Sequence, residues 1–382
     1  MKVAKQREIP AFIVMEVMKN AAEREAAGGD VLHMEVGQPA TAAPSGVIEA
    51  AKQALDNDRL GYTLALGIPE LRQAIAQHYS DFYGVSVSDQ RVAVTTGSSG
   101  AFLTAFLAAF DPGDKVAILR PGYPCYRNIL SSLSIEPVDV PVGAATRFQP
   151  TPDLLEAAGG ADLDGLLLAS PANPTGAMLS EDELSVLLDY CRDRNIRYIS
   201  DEIYHGISYE ERTKSALEID PDTLVINSFS KYFSMTGWRL GWMVLPEELV
   251  TASERLMQNF FISAPSLSQH AGVAAFQCHE ELQANVKRYG ANRNLLLEEL
   301  PKAGFQKLAP ADGAFYIYAD VADLTDNAET FCADMLKETG VATTPGTDFD
   351  PVDGQKFVRF SFAGATEEMA EAAQRLQNWL KA

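Results

Sequence analysis

Asn227-Ser-Phe-Ser-Lys231-Tyr-Phe-Ser-Met-Thr-Gly-Trp-Arg239-Leu-Gly241 is the stretch on which the fold reading turns. Just before it, Leu224–Phe229 is a short β-branched run of the kind that forms a buried strand, and Leu240–Leu245 is a second one. Lys231 therefore stands beyond a strand end, among aromatic and hydroxyl side chains. The plainer alternative is an ordinary lysine at a strand end. A lysine held there beside other cations should have a pKa below the usual ~10.4, as a Schiff-base lysine requires.

Working outward, Val92–Thr96, Val116–Leu119, Gly165–Ala169 and Ile196–Ser200 are further strand-like runs separated by helical segments. Such alternation predicts an α/β fold: a large domain with a mostly parallel sheet flanked by helices. Pro10–Ala27 has helical apolar spacing, a proline in its first turn and a Gly28-Gly29 stop, so it should be an amino-terminal arm helix. After a long helical tract at Leu282–Leu300 the pattern changes to period-two strands, Ala314–Ala319 and Phe357–Phe362, mixed with helices. The expected division is a large domain over 41–280, and a smaller α+β domain built from 1–40 and 281–382.

Motifs follow several strand ends. Val92–Thr96 runs into Gly97-Ser98-Ser99-Gly100 and a helix from about Ala101 to Phe110, where free N–H groups and the helix dipole suit a phosphate. That loop fits neither G-x-x-x-x-G-K-[ST] nor G-x-G-x-x-G, which disfavours nucleotide triphosphates and dinucleotides. Ser170-Pro-Ala-Asn173-Pro-Thr-Gly176 follows one strand and Asp201-Glu-Ile-Tyr204 another. Taken singly, the first is a turn signal and the second a helix cap. Together they converge where open α/β sheets bind ligands, at the carboxyl ends of the strands.

Composition narrows the function classes. The 382 residues are 47% hydrophobic and 22% charged, which excludes disordered, collagen-like and coiled-coil chains. With 31 basic and 52 acidic residues the net charge is −21, so nucleic acid would be repelled. The longest apolar runs, such as Ala101–Phe110, are about half the ~20 residues that span a bilayer. No membrane association is expected. The four scattered cysteines (Cys125, Cys191, Cys278 and Cys332) lack a C-x-x-C pair, and the amino terminus lacks a cleavage signal. A cytoplasmic protein with reduced thiols is the expectation.

The combined set resembles the class I/II aminotransferase family of fold type I pyridoxal-phosphate enzymes, related to aspartate aminotransferase. The resemblance spans nearly the whole chain, and S-F-S-K-x-F-x-M-T-G-W-R-x-G is its most specific part. It implies pyridoxal 5'-phosphate as cofactor, with Lys231 as the lysine that bonds to it and later carries the substrate Cα proton. Asp201 matches the carboxylate paired with the ring nitrogen, and Tyr204 and Asn173 match residues bonded to its phenolic oxygen. The phosphate set is Ser98, Ser99, Ser228 and Arg239, with Ser230 a lesser candidate; an arginine fork suits a dianionic phosphate. Tyr123, in Pro121-Gly-Tyr-Pro-Cys-Tyr126, takes the place of the ring-stacking aromatic. Tyr62, in Gly61-Tyr-Thr63, resembles the tyrosine that reaches the phosphate of the partner subunit, which implies a homodimer with shared active sites.

For substrate, strand alternation in Lys356-Phe-Val-Arg359-Phe-Ser-Phe362 sets Val358, Phe360 and Phe362 on one face and Arg359 on the other. Arg359 resembles the family arginine that clamps the α-carboxylate, and Gly37 resembles a loop glycine that approaches the substrate through its backbone. The implied activity is ping-pong transfer of an amino group from an aspartate-, alanine- or aromatic-class L-amino acid to a 2-oxo acid such as 2-oxoglutarate, in amino-acid metabolism and biosynthesis. A dicarboxylate substrate would need a second cation for its distal group; the sequence offers Lys2, Lys5, Arg7 and Arg127 but does not place any of them at the site. The alternative is β-elimination on the same fold. Ser228-Phe-Ser-Lys231 is also formally S-x-x-K, but no K-T-G or S-D-N accompanies it. A non-catalytic sensor on this fold would keep the cofactor site but lose a reacting group or gain a DNA-binding domain, and neither is seen.

Overall fold

The computed structural model describes residues 9–381. Its strands, in chain order, are β1 Leu32–His33, β2 Val92–Thr95, β3 Lys115–Arg120, β4 Glu136–Pro141, β5 Gly165–Ala169, β6 Arg197–Asp201, β7 Leu224–Ser228 and β8 Gly241–Val244. They continue as β9 Lys307–Leu308, β10 Tyr316–Asp320, β11 Val341–Ala342, β12 Thr344–Pro345 and β13 Phe357–Ser361.

Seven of them form one sheet in the order β2-β8-β7-β6-β5-β3-β4. All neighbours are parallel except around β8, which runs antiparallel to both β2 and β7. The expected mostly parallel sheet is therefore present, with β8 reversed. β4 was not foreseen. Its sequence Glu136-Pro-Val-Asp-Val-Pro141 carries two prolines, which a ladder tolerates only where N–H groups go unused, and β4 lies at the sheet edge.

Side chains alternate between two apolar layers. Leu224 and Ile226 of β7 pack with Phe102, Phe106 and Met257, whereas Val225 packs on the opposite face with Leu71, Ile75 and Trp242. Helices cover both faces, so strands such as β2 and β7 are buried throughout. The helix expected from Ala101 begins earlier, at Gly97, and places Ser98 and Ser99 in its first turn.

A second sheet, β12-β13-β10-β9, is antiparallel and lies between residues 307 and 361. Near it, β1 pairs in parallel with β11, Leu32 opposite Val341 and His33 opposite Ala342, which joins the amino-terminal segment to the carboxy-terminal part. The arm helix spans Ile13–Ala26. Its first N–H has no cap from its own segment. Asp348 supplies one instead, Oδ1 accepting from Ile13 N at 2.8 Å. Among the described residues, no helix is long and apolar enough to cross a membrane.

Candidate active site

Because β2 and β7 are both antiparallel to β8, the carboxyl ends of β2, β3, β5, β6 and β7 open on the same side. A cavity of about 300 Å³ lies there. Into it β6 brings Asp201 and Tyr204, β7 brings Ser230 and Lys231, and the start of the Gly97 helix brings Ser98 and Ser99. The carboxy-terminal sheet adds Arg359 from β13 and Tyr316 from β10, while Phe12, Val14, Met15 and Met18 close the cavity from the arm.

Lys231 sits partly exposed to the cavity, its Nζ donating to Gly37 O and lying 5.9 Å from the Tyr204 ring centre. Burial lowers its pKa to about 8, helped by the Arg359 and Arg239 charges and opposed by Asp201. Near neutral pH the free, nucleophilic amine is therefore far more populated than for an ordinary lysine. Asp201, 2% exposed, accepts from the Tyr126 hydroxyl at Oδ2 and from Ile203 N at Oδ1, 3.0 Å away. Burial still raises it to about 6 against those bonds and the Lys231 charge. A cation placed against this carboxylate would relieve that desolvation. The Tyr204 hydroxyl meets Tyr316 Oη at 2.7 Å.

Arg359 is 3% exposed and fully engaged on one side, with Nη1 donating to Asn173 Oδ1 at 2.9 Å and Nη2 to Glu35 O and to Thr344 Oγ1 at 3.3 Å. Its guanidinium lies 4.5 Å from the Tyr316 ring centre and 4.7 Å from that of Phe349. Nε is buried without a partner. The alternation argument holds here: Val358, Phe360 and Phe362 are wholly buried in the apolar core.

Arg239 lies across the cavity in a left-handed conformation (φ 51°), Nη1 donating to Thr236 O at 3.0 Å. Its guanidinium rests against Gly97, where a Cβ would come within 2.6 Å of Nη2. Gly97 itself has φ +70°, so glycine is required twice over, by backbone and by space. The result is a guanidinium, two hydroxyls and the free N–H groups of a helix start facing one spot.

Not every expected residue lines the cavity. Ser228, 1% exposed, lies behind it and spends its hydroxyl on Ser230 Oγ at 2.9 Å and Leu240 O at 3.1 Å; Ser230 is the serine that faces inward. Tyr62 is 84% exposed and outside this chain's own cavity. Tyr123 lines it, meeting Tyr126 edge-on at 5.4 Å and Phe12 at 5.9 Å. Arg127 pairs with Asp139 and is absent from the lining. Lys2, Lys5 and Arg7 lie outside the described residues.

Two residues escaped the sequence reading. Tyr126 follows Tyr123 by three positions at a helix start, a spacing that puts both on one face. Tyr316 precedes by two the residue paired with Arg359 across the ladder, Tyr318, and so shares its face. Gly37 leaves room for it: a Cβ there would meet Tyr316 Oη at 2.1 Å.

The sequence pattern of the aminotransferase class I and II family matches residues 29–376. The valine–pyruvate aminotransferase of Mycobacterium tuberculosis is 49% identical over 387 residues, covering 99% of this chain and 98% of that one. A crystal structure of an aminotransferase from Mycobacterium tuberculosis superposes with TM-score 0.97 at 48% identity, over 100% of this chain and 99% of the other. Aspartate aminotransferase from Thermus thermophilus with maleate gives 0.93 at 30% identity, over 99% of each chain. A mostly parallel α/β sheet whose strand ends gather a lysine, a buried carboxylate and two arginines, with likeness along the whole chain, makes this protein a member of the class I and II aminotransferases, enzymes of fold type I that transfer amino groups.

Proposed function

We propose that the protein is a pyridoxal 5'-phosphate-dependent aminotransferase that works by a ping-pong cycle on an L-amino acid and a 2-oxo acid. The observation that carries this is the convergence in one cavity of Lys231, Asp201, Arg239 and Arg359. The donors fit the cofactor: the space at Gly97 seats the Arg239 guanidinium against a helix start, a cradle for a dianionic phosphate. When bound, the cofactor supplies an electron sink for the bond broken at the substrate Cα.

The chain's residues divide the remaining work. Lys231 attaches the cofactor and then moves the proton at Cα. Asp201, held by Tyr126 and Ile203 N–H, keeps a proton on the ring nitrogen. Tyr204 and Asn173 bond the phenolic oxygen, Tyr123 covers the ring, and Ser98, Ser99, Ser230 and Arg239 hold the phosphate, with Ser228 supporting Ser230. Arg359 binds the α-carboxylate, its pairing with Asn173 setting the plane of the fork. Gly37 borders the substrate.

For the donor, Phe12, Val14, Met15, Met18 and Val36 make an apolar wall suited to an aliphatic side chain. The 49%-identical relative is named for valine and pyruvate, and the named aspartate aminotransferases among the relatives are 31–33% identical. An aliphatic donor with pyruvate or 2-oxoglutarate as acceptor is the pairing favoured here.

Tyr62 and Leu64 are exposed at 84% and 62%, beside Phe260 and Ile262 at 53% and 48%. The two loops are tied by Thr63 N to Ser263 Oγ at 3.4 Å. Such an apolar patch is an association surface, and a second copy covering it would carry Tyr62 to the other subunit's phosphate. The divided small domain and large domain frame this site.

The test is a half-reaction: protein loaded with the cofactor and given valine alone should release one equivalent of 2-oxo acid per site and no ammonia. Release of ammonia from a β-substituted amino acid, with no transfer to pyruvate, would assign elimination instead.

A further inference from the structure

Residues 34–37 form a strap between the two sheets. Met34 N donates to Ala342 O at 3.0 Å and Met34 O accepts from Ser361 N at 2.7 Å. Glu35 O accepts from Arg359 Nη2 and from Thr344 Oγ1, the latter at 2.9 Å, and Gly37 O accepts from Lys231 Nζ. Two of the three cations lining the cavity thus lean on carbonyls two residues apart.

The side chain of Glu35 has another environment. It is 1% exposed, it is absent from the cavity lining, and Oε2 has no partner. Oε1 has one, His33 Nδ1 at 2.9 Å. The His33 ring, about half exposed, turns its other nitrogen to Glu25 of the arm helix at 3.3 Å. A carboxylate buried with a single partner is costly unless that partner is a cation, and a protonated imidazole donates at both nitrogens.

We infer that the His33–Glu35 ion pair positions the strap and, through the Glu35 carbonyl, the Arg359 guanidinium, so that carboxylate recognition depends on a histidine outside the cavity. This rests on the reading of Arg359 as the α-carboxylate clamp. His33 and Glu35 are positioning residues, since neither touches the cavity.

The electrostatics agree with the geometry. The hydrogen bond to Glu35 and the charges of Glu35 and Glu25 raise His33 to about 9 against its partial burial. Glu25 faces it from the arm helix and Glu35 from the strap, while β11 sets Ala342 opposite it. The sign follows: His33 is protonated and the pair intact below about pH 9, and the pair is lost as pH rises through that value.

The experiment uses the cofactor-loaded enzyme and isovalerate, an unreactive monocarboxylate, with isobutylamine as an amine lacking the carboxylate. In the wild type, isovalerate affinity should fall as pH passes about 9. At neutral pH, His33→Gln and Glu35→Gln should each weaken it by about tenfold, the worth of one charge-assisted hydrogen bond, with isobutylamine turnover unchanged. His33→Arg, cationic at every pH, should restore the affinity and hold it above pH 9. The His33 ring followed by NMR should titrate near 9 in the wild type and clearly lower in Glu35→Gln, where only Glu25 still raises it. The proposal fails if folded Gln variants bind isovalerate like the wild type, if isobutylamine turnover falls in parallel, or if His33→Arg declines as the wild type does. An Arg359→Lys control separates the two readings: undiminished isovalerate binding there overturns the clamp assignment itself.

Discussion

Replacing Arg359 by alanine removes both the proposed carboxylate fork and three structural bonds, to Asn173 Oδ1, Glu35 O and Thr344 Oγ1. The first loss appears in catalysis. Charge-assisted hydrogen bonds contribute about 1.5–3 kcal/mol each, so losing two lowers kcat/KM by roughly 10²–10⁴-fold at about 1.4 kcal/mol per decade. The second appears in stability. Glu35 O and Thr344 Oγ1 still hold each other at 2.9 Å, so the acceptor left stranded is Asn173 Oδ1, in a residue 8% exposed, at a cost of about 1–3 kcal/mol, less where water enters. Arg359→Lys keeps the charge and loses the fork, and should fall between alanine and wild type. The assay is kcat/KM for valine, alanine and aspartate beside isobutylamine, with thermal unfolding measured in parallel. All three amino acids should drop by similar factors, and the amine, which lacks the carboxylate, by much less. Severe loss for one amino acid alone would show that Arg359 reads the side chain, and the α-carboxylate assignment would fall.

The rate at which the cofactor-free protein takes up pyridoxal 5'-phosphate should climb with pH through about 8, because Lys231 reacts only as the free amine and burial beside two arginines holds its pKa there; a rate still climbing toward the ordinary lysine value would contradict that burial. Tyr126→Phe removes one of the two bonds that favour ionised Asp201; the Asp201 pKa should move further up from about 6, and kcat should fall more than cofactor affinity, whereas an unchanged pH profile for kcat would deny Tyr126 this role. Gly97→Ala puts a Cβ within 2.6 Å of Arg239 Nη2 at a φ of +70°; affinity for inorganic phosphate and for the cofactor should drop together, and equal affinity would place the phosphate elsewhere. Inactive Tyr62→Ala and Lys231→Ala subunits should regain activity when mixed, through mixed dimers with one intact site, and no recovery after verified subunit exchange would mean that one chain builds each site.

Sequence alone determined the α/β architecture and the aminotransferase family. The strands ending at Thr95, Ala169, Asp201 and Ser228 each carry consecutive apolar residues and alternate with helices; burial on both faces favours such consecutive residues over a polar–apolar alternation, which is a local signal. The motif around Lys231 and Arg239 is legible because its residues are contiguous. What eluded that reading is non-local. The reversal of β8 depends on which strand it pairs with, and nothing in Gly241–Val244 distinguishes it from a parallel neighbour. Ser228 and Ser230 sit two residues apart in one motif, and only the turn after β7 decides that the second faces the cavity. Tyr126 reaches Asp201 across 75 positions, Arg359 reaches Asn173 across 186, and Asp348 caps a helix 335 residues away. The His33–Glu35 pair is close in sequence, yet its bearing on Arg359 passes through a carbonyl 324 residues distant. Hydrogen bonds between such remote groups have no periodicity to betray them; they form where burial removes water and leaves only the partners that packing brings within reach.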